Sequence, residues 1–166
     1  MLATFAGGCF WCTEAIFKRL KGVKKVTPGY SGGNKNDPSY DEVSSESTGH
    51  TESIQIEFDP KVISYKQLVE VFFKTHDPTT LNKQGNDVGT QYRSVIFYHS
   101  PEQKKIAESL MKGNYVTEIV EYKNFFEAEG YHHDYYDKNK SQPYCRLVID
   151  PKIQKLYKDF GGLVKE

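Results

Sequence analysis

The sequence predicts an α+β sandwich, a mixed sheet with helices packed against it. Two patterns carry that reading. Short apolar or alternating segments bounded by glycine and proline read as strands, and segments with apolar residues at helical spacing lie between them. The two kinds alternate without the strict strand–helix–strand period of a parallel α/β fold. With 166 residues the chain can bury a core without staples, so a single domain over residues 1–166 is expected.

"LATFA" (Leu2 to Ala6), stopped by Gly7-Gly8, reads as a buried strand. From Phe10 the residues Ala15, Ile16, Phe17 and Leu20 fall at helical spacing, and Gly22 closes the run. "VKKVTPGYSGG" is a strand running into a loop, and "DPSYDEVSSESTGHTE" is polar loop or short helix. "ESIQIEFDP" alternates Ile54, Ile56 and Phe58 with polar residues, a half-buried strand ended by Pro60. Ser64 is placed to cap a helix carrying Leu68, Val69, Phe72 and Phe73. "TTLNKQGNDVGT" has the composition of a loop. "QYRSVIFYHS" follows as a strand, "PEQKKIAESLMKG" as a helix with proline in its first turn, and "YVTEIVEY" as another strand. Helix or loop is expected around "EAEGYHHDYYDKN", with a last helix from about Pro151.

Lys+Arg and Asp+Glu are equal at 22 each, which removes the electrostatic case for nucleic acid or an anionic membrane as partner. Aromatic residues reach 14%, with 12 Tyr, and tyrosine can fill a core while offering a hydroxyl to a pocket. Three cysteines, an odd number, argue against a secreted disulfide scaffold and for a reducing, cytoplasmic setting. "MLATFAGG" has neither a basic nor a long apolar leader region, and no run approaches membrane-spanning length.

Two of the three cysteines, Cys9 and Cys12, sit in "AGGCFWCTEAIF", where a glycine turn opens into a helix. The free N–H groups and positive end of a helix start favour a thiolate at Cys9, and the glycines allow close approach of backbone and substrate. Cys12, one turn on, shares its face, as attack and resolution into a disulfide require. Other readings of the pair stand beside this one: two buried structural cysteines, a zinc half-site, or a general dithiol. A zinc site lacks a second C-x-x-C, and no metal is expected. A thioredoxin-like dithiol normally follows a longer β-α-β stretch than eight residues hold. Phe10 and Trp11 beside the sulfur would form an apolar pocket, or ordinary core. "YHHDYY" reads as a solvated helix face, and nothing suggests flavin or nicotinamide, so no cofactor is expected.

The longer motifs "GGCFWCTEA", "GYSGG", "PSYDEVSSESTGHTESIQIEFDP", "HDPTTLNKQGNDVGTQYRS", "FFEAEGYHHDYY" and "QPYC", in this order, resemble those of the A-type peptide methionine sulfoxide reductases. The resemblance implies reduction of methionine-S-sulfoxide, free or in proteins, with thioredoxin or an equivalent dithiol as final reductant. It implies Cys9 as nucleophile, Glu52 as acid, and Tyr40 and Tyr92 as hydrogen-bond donors. Phe10, Trp11 and Asp87 become substrate contacts, with His50 beside the acid placed among them. The expected fold is a mainly antiparallel mixed sheet packed with helices, a ferredoxin-like plait, and the expected state a monomer.

The chemistry asks for these residue types. A sulfoxide oxygen leaves only when protonated, so a sulfur nucleophile must be matched by an acid. Glu52 can serve only if burial lifts it well above the ordinary carboxylate range, and the tyrosines can stabilise charge building on the oxygen. Oxygen transfer leaves a sulfenic acid on Cys9, which a second thiol converts to a disulfide. The chain departs from the commonest family pattern, which has glycine where Cys12 stands, while Cys145 in "QPYC" resembles the resolving cysteine of many members. The expected order is Cys9–Cys12 first, despite the strain of bridging an i, i+3 pair, then transfer to Cys145 in a mobile segment.

Overall fold

Alternation along the strands decides which side chains meet the helices. In the computed structural model, which describes residues 1–166, β1 (Leu2–Ala6) sends Ala3 and Phe5 into the main core and Ala6 into a small cluster with Val95 and Phe97. β3 (Thr51–Phe58) puts Ile54, Ile56 and Phe58 into the main core. Glu52, two residues before Ile54, therefore points to the same face as the apolar residues.

The sheet has β1 at its centre, antiparallel to β3 on one side and to β6 (Val95–Tyr98) on the other. β2 (Val23–Ser31) pairs antiparallel with β3. The order β6-β1-β3-β2, with helices α1 (Phe10–Phe17) and α3 (Tyr65–Thr75) as its two crossovers, is the ferredoxin-like plait. β7 (Glu118–Glu121) extends it in parallel with β6 through α4 (Pro101–Ser109), and β8 (Phe126–Glu127) closes the other edge against β2. No helix is long and apolar enough to cross a membrane.

Seven of the eight residues of α1 are buried. The sheet covers one side, and α5 (Tyr135–Lys138) and α6 (Asp150–Phe160) pack on the other. Phe5 anchors the interface, stacked on Phe72 at 4.9 Å and tilted against Phe17 at 5.7 Å. α3 starts as its sequence prescribes, with Ser64 and Gln67 closing a capping box. The short α2 (Tyr40–Ser44) has the same device from Ser39 and Glu42.

Three segments differ from expectation. The glycine- and asparagine-rich loop carries a small hairpin, β4 (Lys83–Gln84) against β5 (Asp87–Val88), turning at Gly85-Asn86. "QYRSVIFYHS" begins as a 3-10 turn over Thr90–Tyr92, and its strand starts only at Val95. Cys145, expected in a mobile segment, opens a π-helical turn, Cys145–Ile149, that leads into α6 and is packed into the core.

Candidate active site

The turn from β1 into α1 has no room for side chains. A Cβ on Gly7 would stand 2.9 Å from the Phe72 ring and from His76, and one on Gly8 only 2.6 Å from Gln84 Cγ. Gly8 also has φ +82°, a left-handed conformation that glycine adopts without strain. The glycines thus admit the protein's own core rather than a substrate, and they deliver Cys9 as the N-cap of α1.

Beneath that helix start lies Glu52, brought there by the alternation of β3. Its Oε1 accepts the Phe10 backbone N–H at 3.2 Å, and the residue is 2% exposed. Cys9, Glu52, Phe10 and Trp11 line a cavity of about 150 Å³. Tyr40, Asp87, Tyr92 and Tyr144 complete its wall. Cys9 is 9% exposed and reaches solvent through this opening.

Each wall residue is fixed from elsewhere in the chain. Tyr40 heads α2, where its backbone N–H donates to Glu129 Oε2 at 2.9 Å while the Tyr30 hydroxyl donates to Glu129 Oε1 at 2.8 Å. Tyr92 ends the 3-10 turn, and its carbonyl accepts the Gly8 N–H at 3.1 Å. Asp87 stands on the hairpin, whose Gln84 bonds the backbone N–H and carbonyl of Asp77 at 2.6 and 2.8 Å. Trp11 lies flat on Tyr135, and its indole N–H donates to His132 Nδ1 at 3.1 Å.

Burial dominates the electrostatics. It pushes the Glu52 carboxyl up to about 8, against the lowering effect of the Phe10 N–H, so Glu52 is protonated at neutral pH. Burial also pushes the Cys9 thiol well up, and Glu52 adds to it once its carboxyl ionises. The backbone N–H of Trp11 pulls the other way and loses. A helix start lowering Cys9 is therefore overruled by desolvation: the resting pair is a neutral thiol and a neutral acid. Burial raises Tyr40 and Tyr92 as well, which keeps both as O–H donors.

Three expected residues, His50, Cys12 and Cys145, stand outside the cavity wall. His50 does not line the cavity: its Nδ1 accepts the Gly33 N–H at 3.0 Å and its other ring nitrogen meets the Lys35 carbonyl at 2.7 Å. Both nitrogens are spent on stapling the loop after β2. Cys145 is fully buried outside the cavity, while Cys12, 1% exposed, reaches it through the Tyr144 hydroxyl 3.6 Å away.

Sequence reasoning missed Tyr144, Tyr135, His132 and Glu129. Tyr144 stood in plain view in "QPYC", and its neighbour Cys145 took the attention. His132 is not on a solvated helix face; it is 1% exposed, its ring packed against Phe10 at 4.9 Å and Tyr40 at 4.7 Å.

Comparison with known proteins agrees with this geometry. The family model for peptide methionine sulfoxide reductase matches residues 1–162. The chain belongs to that family. A peptide methionine sulfoxide reductase MsrA of Sulfolobus acidocaldarius is 60% identical, over 96% of this chain and 94% of its own. Among solved structures, reduced Mxr1 from Saccharomyces cerevisiae superposes with a TM-score of 0.80 at 38% identity, covering 87% of this chain and 88% of that one. Mxr1 in complex with Trx2 matches with a TM-score of 0.54 at 28% identity, covering 81% and 84%. The enzyme reduces peptide methionine (S)-sulfoxide by thiol chemistry.

Proposed function

We propose that this reduction runs on Cys9 as nucleophile and Glu52 as acid, the observation behind it being their meeting, both protonated, in one aromatic-walled cavity. The substrate methyl group fits between Phe10 and Trp11, Asp87 holds the main chain of the substrate, and the Tyr40 and Tyr92 hydroxyls donate to the sulfoxide oxygen. The Cys9 sulfur attacks the sulfoxide while Glu52 gives its proton to the oxygen, and the carboxylate so formed takes the thiol proton. Oxygen passes to Cys9, methionine leaves, and Cys9 holds S–OH. The neutral resting pair suits this sequence: two ionised neighbours in a buried site would repel, and a carboxylate has no proton to give.

Cys12 resolves the sulfenic acid into a disulfide with loss of water, Cys145 takes over the bond, and a thioredoxin-class dithiol reduces it. The Mxr1–Trx2 complex supports such a partner. The chain works as a monomer in the cytoplasm. A single-turnover assay on racemic methionine sulfoxide tests the first half. A burst of methionine without added reductant, from the S epimer alone and absent in Cys9→Ser, is expected. Turnover by Cys9→Ser would overturn it.

A further inference from the structure

Cys12 has one hydrogen-bond partner, and that partner is already engaged. The Tyr144 hydroxyl lies 3.6 Å from Cys12 Sγ and donates to Asp87 Oδ2 at 2.6 Å. A carboxylate accepts only, so the phenol proton is committed to Asp87 and the phenol oxygen faces Cys12 as an acceptor. The three groups form a directed line from thiol through phenol to carboxylate, ending in the cavity that also holds Cys9.

We propose that Tyr144 is a catalytic residue of the resolving step, passing the Cys12 proton to Asp87 as Cys12 attacks the sulfenic acid on Cys9. This deepens the reading of Cys12 as resolving cysteine and rests on it. The Cys12 sulfur supplies the electron pair of the new S–S bond, and the S–O bond of Cys9 breaks. Glu52 gives its proton to the departing hydroxide, which leaves as water. Cys12's proton moves onto the Tyr144 oxygen as the phenol proton moves onto Asp87, so Tyr144 ends unchanged. Solvent then exchanges the proton gained by Asp87 and the one lost by Glu52.

The step needs such a relay. Cys12 is 1% exposed, so bulk water reaches its thiol only through local opening of the fold. Burial raises that thiol, Asp87 and Glu52 raise it further, and Lys152 on α6 and the hydrogen bond with Tyr144 oppose them without prevailing. A thiol in that setting stays protonated unless a base is at hand. Asp87 is free for the task once methionine has left, since its carboxylate then has no substrate partner.

The test follows the lifetime of the sulfenic acid in a Cys145→Ser background, which leaves Cys12 as the one resolving thiol. Protein mixed with one equivalent of methionine-S-sulfoxide is quenched with dimedone at intervals, and mass spectrometry separates Cys9 adduct from Cys9–Cys12 disulfide. In Tyr144→Phe the disulfide should form on the order of 100-fold more slowly at pH 7. That deficit should shrink as pH rises, because hydroxide replaces the missing base. Asp87→Asn, which keeps the phenol, should show the same lag and serves if Tyr144→Phe fails to fold. An unchanged rate in both variants, or a deficit equal at every pH as mere misplacement would give, overturns the relay. If the Cys145→Ser protein itself releases methionine but forms no Cys9–Cys12 bond, the failure lies in the assignment of Cys12, and the relay falls with it.

Discussion

Trp11 lies face to face with Tyr135, the ring centroids 3.6 Å apart and the planes 7° from parallel. The indole N–H is held by His132 and its edge meets Tyr144, so three residues from the last third of the chain fix one wall of the cavity. Asp134, next to Tyr135, gives its backbone N–H to the buried Glu14 at 2.9 Å, which ties this segment to the helix that carries the cysteines. On the proposed mode of binding, substrate affinity then depends in part on Tyr135 and His132, which do not line the cavity.

Removing the backing ring isolates that effect. Tyr135→Ala should cost about 0.5–1.5 kcal/mol of aromatic packing. KM for a sulfoxide peptide should rise roughly 2- to 10-fold, while kcat stays within a factor of about 2. Trp11 is the single tryptophan, so its fluorescence should shift to the red in the variant. A kcat loss with unchanged KM would place Tyr135 elsewhere in the reaction.

On the proposed role of Glu52, activity should depend on pH in one direction. Its proton is held up to about pH 8, so kcat/KM should fall on the alkaline side of that value. Glu52→Gln should lower kcat roughly 100- to 10,000-fold and abolish that alkaline limb. A variant that keeps the limb would assign it to another group.

The same burial has a cost in stability. A carboxyl whose folded pKa is raised favours folding less as pH climbs from its ordinary 4.5 towards the folded value, about 8 for Glu52 and about 7 for Glu14. His76, lowered by burial from 6.5 to about 4, works in reverse and gains stability as pH rises between those values. Below about pH 6.5 the His76 slope offsets only one of the two carboxyl slopes. Above it only the carboxyls remain, and stability should drop by roughly 2 kcal/mol between pH 6.5 and 8.5. Denaturant melts of Glu52→Gln over this range should lose most of the drop.

How much of this was legible in the sequence depends on the range of the contact. The alternation of β3 put Glu52 on the core face, Ser64 fixed the start of α3, and Gly7-Gly8 marked the turn before Cys9. Those are local rules acting over a few residues. The motif resemblance carried Tyr40, Tyr92 and Asp87, because a tyrosine in a loop does not declare which way it points. What stayed hidden was long-range: Glu129 fixes Tyr40 from 89 residues away, and Trp11 and His132 are 121 apart. His50 misled because it lies just before β3, which starts at Thr51, and its ring is held by Gly33 and Lys35 in the loop after β2 and not beside Glu52.

The two resolving candidates differ in geometry, and that difference decides the order of events. Cys12 adjoins the cavity through Tyr144 and gives its backbone N–H to the Cys9 carbonyl at 3.1 Å, whereas Cys145 is sealed in the core at the start of its π-turn. To meet a disulfide near Cys9, Cys145 must first leave that packing, which a buried residue does slowly. After one equivalent of sulfoxide, peptide mapping of the wild-type protein should therefore find Cys9–Cys12 before any bond to Cys145. Cys12→Ser should prolong the sulfenic acid at least about 10-fold, since local opening of the π-turn then limits resolution. Cys145→Ser should leave the first disulfide unaffected and slow only steady-state turnover with thioredoxin. A Cys9–Cys145 bond appearing as fast in Cys12→Ser as the first disulfide does in wild type would mean that the π-turn opens freely and that Cys12 has no kinetic advantage.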